Sequence, residues 1–203
     1  MSIHHIWHFT SVYFQNNWFE ITGMVLAIVG VWFTALEKII NWPIGIVSCI
    51  IYGILFYNAG IYADAVLQVF FIVSGVYGWY LWAKGKNKSN GLPITSIPVK
   101  TLLILTGLAI PCVFGMAFIL HRYTSSTIPY FDAVTTVLSL IATFMAAKKH
   151  IENWLVWILA DLIYVAEYFI KDLYPTAVLY IIFTGLALYG YVEWRIHLKK
   201  LYA

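Results

Sequence analysis

Charged residues are scarce in this sequence. Only 10% of its 203 residues are Asp, Glu, Lys or Arg, and 62% are hydrophobic, whereas about a quarter of an ordinary soluble domain is charged. Twelve basic and nine acidic side chains cannot solvate a globule of this size, so the composition excludes a soluble enzyme. The net charge of +3 is too small to indicate a nucleic-acid partner. The composition therefore predicts a polytopic membrane protein.

Motifs for nucleotide binding and nucleophilic catalysis are also lacking. The chain has no GxxxxGK[ST] run and no GxSxG run, and its loops are too short for a nucleotide-binding domain, which excludes a primary pump. The two cysteines, Cys49 and Cys112, lie inside apolar runs and are interpreted as packing residues. We therefore predict no catalytic residue, no metal site and no cofactor. A membrane enzyme and a scaffold without transport remain distant alternatives.

The first 17 residues contain three histidines but no Lys or Arg. Without a basic region or a small-residue cleavage site, they are not typical of a signal peptide. The spacing of His4, His5 and His8 would allow a metal cluster, but their terminal position favours a flexible tail.

Seven apolar windows are each long enough to cross the hydrocarbon core, which requires about 20 residues. They are approximately 18–36, 39–57, 63–82, 101–120, 131–147, 153–170 and 175–194. One long polar stretch, 84–100, divides the chain. The predicted order is an outer N-terminal segment (1–17), a first three-helix unit (18–83), a loop with a linker helix and outer loop (84–130), a second three-helix unit (131–195) and a tail (196–203).

The distribution of Lys and Arg predicts the orientation. The N-terminal side and the loops on that side hold only Arg122 and Lys171, and the other ten basic residues lie on the opposite side. Basic loops remain in the cytoplasm. We therefore expect the N-terminus outside and the C-terminus in the cytoplasm.

An offset of 112 residues aligns 41–82 with 153–194 without a gap. Apolar composition alone would not place the following pairs at one offset: Asn41/Asn153, Trp42/Trp154, Tyr52/Tyr164, Gly78/Gly190 and Trp82/Trp194. Two three-helix repeats joined by one linker crossing have the same orientation in the membrane. Parallel repeats are a transporter architecture, with the substrate site between the halves. A structural duplication without a pathway is the alternative.

Span 6 carries the most informative face. Trp154, Trp157, Asp161, Tyr164 and Tyr168 follow helical spacing along one side. A carboxylate at the centre of a membrane helix costs at least about 2.5 kcal/mol, so Asp161 indicates a functional site. The alternative is an Asp that is hydrogen-bonded as structural glue. An acid among aromatic rings suits a flat, cationic, hydroxyl-bearing solute.

Spans 3 and 7 extend this pattern. Gln68, Phe71 and Trp79 share one face of span 3, and Tyr180 is the counterpart of Gln68 in span 7. Gln68 is a candidate ligand, with an interhelical hydrogen bond as its alternative role. The tryptophans at span ends are predicted to form an interfacial belt: Trp18, Trp82 and Trp194.

Several longer strings resemble PnuC-type transporters, the bacterial nicotinamide riboside transporters. They are NWPIGIVSCIIYGILF, YADAVLQVFF and YGWYLW in the first half, and PYFDAVTTVLS, ENWLVWI and LYPTAVLYIIF in the second. The resemblance implies an all-α, SWEET-like fold of seven transmembrane helices, assembled as a homotrimer in the bacterial inner membrane. It also implies facilitated diffusion of nicotinamide riboside for NAD biosynthesis, with trapping by cytosolic phosphorylation.

The resemblance and the helical faces together give the candidate site. The predicted substrate-binding residues are Trp157, Asp161, Gln68, Tyr164, Trp154, Phe71, Trp79, Tyr180, Asn41 and Asn153, and the gating candidates are Glu167 and Trp42. Nicotinamide riboside members often have Asn where this chain has Asp161. Related branches carry thiamine or riboflavin. The cationic rings of nicotinamide riboside and thiamine both suit an acid, whereas neutral riboflavin fits less well, and nicotinamide riboside is favoured. Ion coupling remains open because Asp161 or Glu167 could titrate.

Overall fold

The described residues form seven helices that follow one another along the chain, as the hydropathy pattern predicts. The computed structural model describes residues 3–58, 62–86, 92–124, 128–170 and 174–202. The helices are α1 (Ile3–Ala35), α2 (Asn41–Asn58), α3 (Tyr62–Lys86), α4 (Val99–Tyr123), α5 (Pro129–Ala147), α6 (Asn153–Ile170) and α7 (Tyr174–Tyr202). Each contains an apolar stretch of at least 18 residues. Helices are the expected form of such segments, because lipid offers no partner to an unpaired backbone group.

Helix α1 begins well before its predicted span. The segment 3–17 continues the helix, so the prediction of a flexible N-terminal tail is wrong. The physical reason is that no Pro or Gly interrupts the chain between residues 3 and 22. His4, His5 and His8 lie in this extension, and their side chains fall outside the described residues. The predicted tail at 196–203 is likewise helical as far as Tyr202.

Six of the helices form a closed ring. Around it, α1 contacts α2, α2 contacts α3, α3 contacts α5, α5 contacts α6, α6 contacts α7, and α7 contacts α1. In this order α2 lies opposite α6, and the two do not touch within the described ranges. Helix α4 lies outside the ring and packs against α5. The ring thus encloses a central axis onto which residues of both halves of the chain can project.

One end of the ring carries most of the basic residues. It contains the α1–α2, α3–α4 and α5–α6 connections and the C-terminus of α7, and we call it the basic end. Here the segment before α4 docks onto the α5–α6 connection, where the Thr95 amide donates to the Lys149 carbonyl (3.0 Å) and the Ile151 amide donates to the Thr95 carbonyl (2.9 Å). Ile94 from the same segment is buried in the core of this end.

Candidate functional site

A buried acid occupies the middle of α6. Asp161 is only 3% exposed. No Lys, Arg or His of the described residues lies within salt-bridge distance of it. An ionised carboxylate without a cationic partner is costly in such a place. The position therefore favours a cationic ligand as its partner.

A stack of three tyrosines lies beside Asp161, and we call it the tyrosine wall. Tyr164 and Tyr168 come from α6 and Tyr180 from α7, with ring centroids 4.4 Å apart for Tyr164–Tyr180 and 5.3 Å for Tyr168–Tyr180. Asp161 is close enough to Tyr164 and Tyr180 to interact electrostatically with both hydroxyls. The structure thus brings together three of the predicted site residues, Asp161, Tyr164 and Tyr180.

The tyrosine wall has a counterpart in the first half. Tyr52 and Phe56 of α2 stack with ring centroids 5.8 Å apart, and they correspond to Tyr164 and Tyr168, whose centroids are 6.0 Å apart. Gln68 of α3 packs against α2 at Gly53, where an added Cβ would lie 3.5 Å from its own Cβ. The half-buried side chain of Gln68 is therefore held on the α2 side of the ring.

The remaining aromatic candidates lie in different surroundings. Trp157 is partly buried and packs against the core of the basic end. Phe71 is half-buried on α3. Trp79 is 43% exposed, so the structure does not place it in the interior with Gln68 and Phe71. Glu167, a predicted gating residue, is 2% exposed near the opposite end of α6, and it interacts electrostatically with Tyr164.

Four tryptophans close the ring at the basic end, and we call them the tryptophan plug: Trp42, Trp82, Trp154 and Trp194. Each is at most 7% exposed. Trp42 meets Trp82 edge to face at 5.5 Å, Trp154 meets Trp194 in the same way at 5.3 Å, and Trp82 approaches Trp194 at 6.4 Å. The plug thus joins two matching pairs across the centre of the ring.

The plug corrects one prediction. Trp82 and Trp194 do not form an interfacial belt, since both are buried and each indole donates to a carbonyl of the other half. The Trp82 Nε1 donates to the Ala146 carbonyl (3.3 Å), and the Trp194 Nε1 donates to the Ala35 carbonyl (3.0 Å). A tryptophan at a span end packs inward when the last turn of the facing helix offers a carbonyl that can accept its indole N–H. Trp18, by contrast, is 62% exposed, as a belt residue would be.

Asn41 and Asn153 lie at the first positions of α2 and α6, next to the plug. Asn41 Nδ2 donates to Thr34 Oγ1 (2.8 Å), and Asn153 Nδ2 donates to the His150 carbonyl (2.7 Å). Their Oδ1 atoms, and the Nε1 atoms of Trp42 and Trp154, are buried without a hydrogen-bond partner among the described residues. Such groups cost about 1–3 kcal/mol each. Each half of the plug therefore buries the same two kinds of unpaired polar atom, an asparagine Oδ1 and a tryptophan Nε1.

An ion pair lies over the plug. Lys149 Nζ is 2.7 Å from Glu37 Oε2, and both side chains are mostly buried. The same ammonium group lies 4.5 Å from the Trp82 ring centroid, and His197 Nδ1 contacts the other Glu37 oxygen. Glu37 follows α1 and Lys149 follows α5, so the pair ties the two halves together at the basic end.

The sequence profile of the nicotinamide mononucleotide transporter family matches residues 17–196. The chain belongs to this family. Membership confirms the expected PnuC-type relationship and, with the seven apolar helices, identifies a multi-pass protein of the inner membrane.

Named relatives of the family align along most of the chain. The nicotinamide riboside transporter PnuC of Escherichia coli (strain K12) is 28% identical over 89% of this chain and 86% of its own length. The PnuC of Neisseria mucosa is 22% identical over 93% of this chain and 76% of its own length. The riboflavin/roseoflavin transporter RibM of Streptomyces davaonensis is 24% identical over 90% and 87%. Relatives whose names refer to different vitamins are thus similarly distant from this chain.

A solved structure shares the fold of this family member. The crystal structure of the vitamin B3 transporter PnuC superposes with a TM-score of 0.76 over 97% of this chain and 88% of the other, at 21% sequence identity. The expectation of an all-α membrane fold with seven helices is therefore confirmed.

The sequence reasoning missed two buried hydroxyl residues on α5. Thr135 and Ser139 are 0% and 2% exposed, and they lie on the helix that packs against α6. Their spacing of four residues was a signal, because it places both on one helical face. In an apolar span, however, such hydroxyls usually bond to their own helix, as Thr135 also does to the Phe131 carbonyl.

Proposed function

We propose that this protein imports nicotinamide riboside by facilitated diffusion through the ring of six helices. The observation that carries the proposal is Asp161, a buried acid beside the tyrosine wall with no basic partner among the described residues. The ring of nicotinamide riboside is flat and positively charged, so an acid and aromatic side chains suit it. The names of the relatives from Escherichia coli and Neisseria mucosa support the same substrate.

The charge of the site favours the nucleoside over two other solutes. A nucleotide would bring a phosphate group to an interior that holds a carboxylate and, among the described residues near it, no basic side chain. Riboflavin, which the name of the Streptomyces relative suggests, is neutral and gains nothing from the acid. Thiamine has a cationic ring and is the closest competitor.

The proposed transport cycle is a rocking of two three-helix units, 18–83 and 131–195, with α4 as the linker. Contacts of α1 with α7 and of α3 with α5 support this division, because each joins helices at corresponding places in the two units. The basic end faces the cytoplasm under the positive-inside rule. The tryptophan plug, including the gating candidate Trp42, then closes the inner side of the pathway.

In this proposal the concentration gradient of the substrate drives import. Phosphorylation in the cytosol would add negative charge to the substrate. The Asp161 site disfavours that charge, so the phosphorylated product would remain in the cell. We also propose a homotrimer, since among the described helices α4 packs against α5 alone and exposes large apolar side chains such as Leu103, Phe114 and Phe118. Cross-linking in native membranes tests it: a trimer band supports the assembly, and monomer alone contradicts it.

Calorimetric titration of the purified protein tests the substrate. Nicotinamide riboside should bind more tightly than thiamine, riboflavin or nicotinamide mononucleotide. Tighter binding of thiamine or riboflavin would overturn the substrate assignment. Uptake into proteoliposomes without an ion gradient should be saturable, and a requirement for a proton or sodium gradient would contradict facilitated diffusion.

A further inference from the structure

Helices α2 and α6 expose corresponding faces on the outside of the ring. At the offset of 112 residues, the exposed positions of α2 recur as exposed positions of α6: Val47/Leu159, Ile50/Leu162, Ile54/Ala166, Tyr57/Phe169 and Asn58/Ile170. Both helices are therefore rotated alike about their axes, and the opposite side of each faces the interior of the ring.

Contacts with the two neighbouring helices agree with this rotation of α2. On one flank, a Cβ added at Gly30 of α1 would lie 3.8 Å from the backbone nitrogen of Gly45. On the other flank, a Cβ added at Gly75 of α3 would lie 3.0 Å from the Ile46 side chain. Gly45 therefore lies where the contact with α1 ends and the interior side of α2 begins.

The interior sides of the two helices differ in bulk at two positions. In order from the basic end, the residues are Trp157, Asp161, Tyr164 and Tyr168 on α6, and Gly45, Cys49, Tyr52 and Phe56 on α2. The last two pairs are aromatic in both halves. Corresponding residues of parallel repeats lie at the same depth. At the depth of Trp157 and Asp161, the wall formed by α2 therefore has no side chain at one position and a short thiol at the next.

Gly45 borders open space inside the ring, and we call this space the Gly45 recess. A Cβ added at Gly45 would have no atom within 4 Å from the other described parts of the chain, its own turn of helix aside. Gly107, Gly115 and Gly185 share this property but are exposed, whereas Gly45 is half-buried. Gly45 follows Trp42 by three residues, so the recess lies one helical turn from the tryptophan plug.

We infer that Gly45 is a specificity-determining residue, whose missing side chain leaves room for the ring of the substrate between α2 and α6. The inference rests on the proposed function and deepens it, because it assigns the shape of the site as well as its charge. One face of a flat cation would lie toward Trp157 and the other toward the backbone at Gly45, beside Asp161. A side chain at position 45 would occupy the space that the ring needs.

The test adds side chains of increasing size at position 45 and titrates each variant with nicotinamide riboside. Gly45→Ala should weaken binding about fivefold and Gly45→Leu about a hundredfold, since the added atoms compete with the ring for the recess. The Tm in detergent should stay the same or rise in both variants. The added atoms enter open space, and both residues form helices more readily than glycine does.

Gly185→Leu is the matched control, because Gly185 also has open space around it but is exposed on α7. This variant should bind as the wild type does. Wild-type affinity in Gly45→Leu would overturn the inference. A Tm that falls together with affinity would also overturn it, because the added side chain would then meet packed protein. An equal loss of affinity in Gly185→Leu would do the same, since the effect would not be specific to the recess.

The outcomes separate this inference from the proposed function. Tight binding of nicotinamide riboside with no effect of the Gly45 variants overturns the role of the recess and leaves the function standing. If the wild type binds thiamine or riboflavin instead, the substrate assignment fails, and the same variants measured with that ligand decide the role of the recess. Binding of none of these ligands would overturn both.

Discussion

Glu37 and Lys149 lie 112 positions apart and form an ion pair of 2.7 Å. Each follows the first helix of its half, and each has a left-handed backbone, with φ of 55° and 54°. Non-glycine residues adopt this conformation rarely. The two residues at corresponding positions therefore share the same unusual turn and bind each other across the ring, directly over the tryptophan plug.

We expect this pair to hold the basic end closed. Lys149→Met should leave Glu37 without its ammonium partner and weaken the closed state by about 1–3 kcal/mol. The measurement is the labelling rate of a cysteine introduced at buried Ala35 by an impermeant maleimide, in a background without Cys49 and Cys112. Labelling should become several-fold faster in the Lys149 variant.

The charge-swapped variant is the control for this prediction. Glu37→Lys with Lys149→Glu restores the attraction between the two turns and should return labelling toward the wild-type rate. If the cysteine in the charge-swapped variant is labelled as fast as in Lys149→Met, closure depends on the identity of each residue and not on the attraction between them. Equal labelling in all three proteins would show that the ion pair does not hold this end closed.

The plug requires glycine at two corresponding positions. A Cβ at Gly190 would lie 2.5 Å from the Trp154 ring, and one at Gly78 would overlap the Trp42 ring. Gly190→Ala should therefore destabilise the fold by about 1–3 kcal/mol through overpacking, seen as a lower Tm in detergent. Gly185→Ala on the same helix has open space around it and should leave Tm unchanged or raise it. Similar shifts in both variants would contradict the packing of the plug.

The sequence predicted the seven spans and the corresponding tryptophans because both depend on local patterns. Hydropathy over about 20 residues decides a span, and the correspondence of Trp82 with Trp194 is visible when the two halves of the sequence are aligned. The sequence did not predict that these two rings are buried, since their burial depends on which carbonyls of α1 and α5 face them. Helical spacing also predicted that Trp79 and Gln68 share one buried face of α3. Neighbouring helices cover only part of that face, and Trp79 lies on the exposed part.

Neutralising the central acid should affect cationic ligands selectively. Asp161→Asn keeps the size of the side chain and removes its charge, so nicotinamide riboside affinity should fall about tenfold to a hundredfold. Any binding of neutral riboflavin should change little. Titration of both ligands checks this prediction. The control is Glu193→Gln, which changes an exposed acid at the basic end. An equal loss for both ligands would indicate a structural role for Asp161, and no loss would remove it from the site.

The contacts within the tyrosine wall could be predicted only in part from the sequence of α6. The spacing of Asp161, Tyr164 and Tyr168 predicts that they share one face of α6, and the rings of Tyr164 and Tyr168 stack with centroids 6.0 Å apart. Tyr180, which stacks on Tyr164 at 4.4 Å, comes from α7. This contact follows from the order of helices around the ring, which hydropathy does not contain.

The segment between α3 and α4 (92–98), which docks onto the α5–α6 connection through Thr95, should make the stability of the fold depend on pH. Burial lowers the pKa of His150 below its ordinary 6.5, with Glu152 acting in the opposite direction, and its Nδ1 lies 3.0 Å from Thr95 Oγ1. The folded protein thus prefers the neutral ring. Its contribution to stability is fully present above the unfolded-state pKa of about 6.5 and is lost as the pH falls below that value.

His150→Gln cannot titrate, so it tests this contribution. Between pH 7.5 and 5.5 the wild type should lose more thermal stability in detergent than His150→Gln does. The exposed His121 provides the matched control, and His121→Gln should retain the wild-type pH dependence. A pH dependence that His150→Gln leaves unchanged would show that protonation of this ring does not loosen the α3–α4 segment.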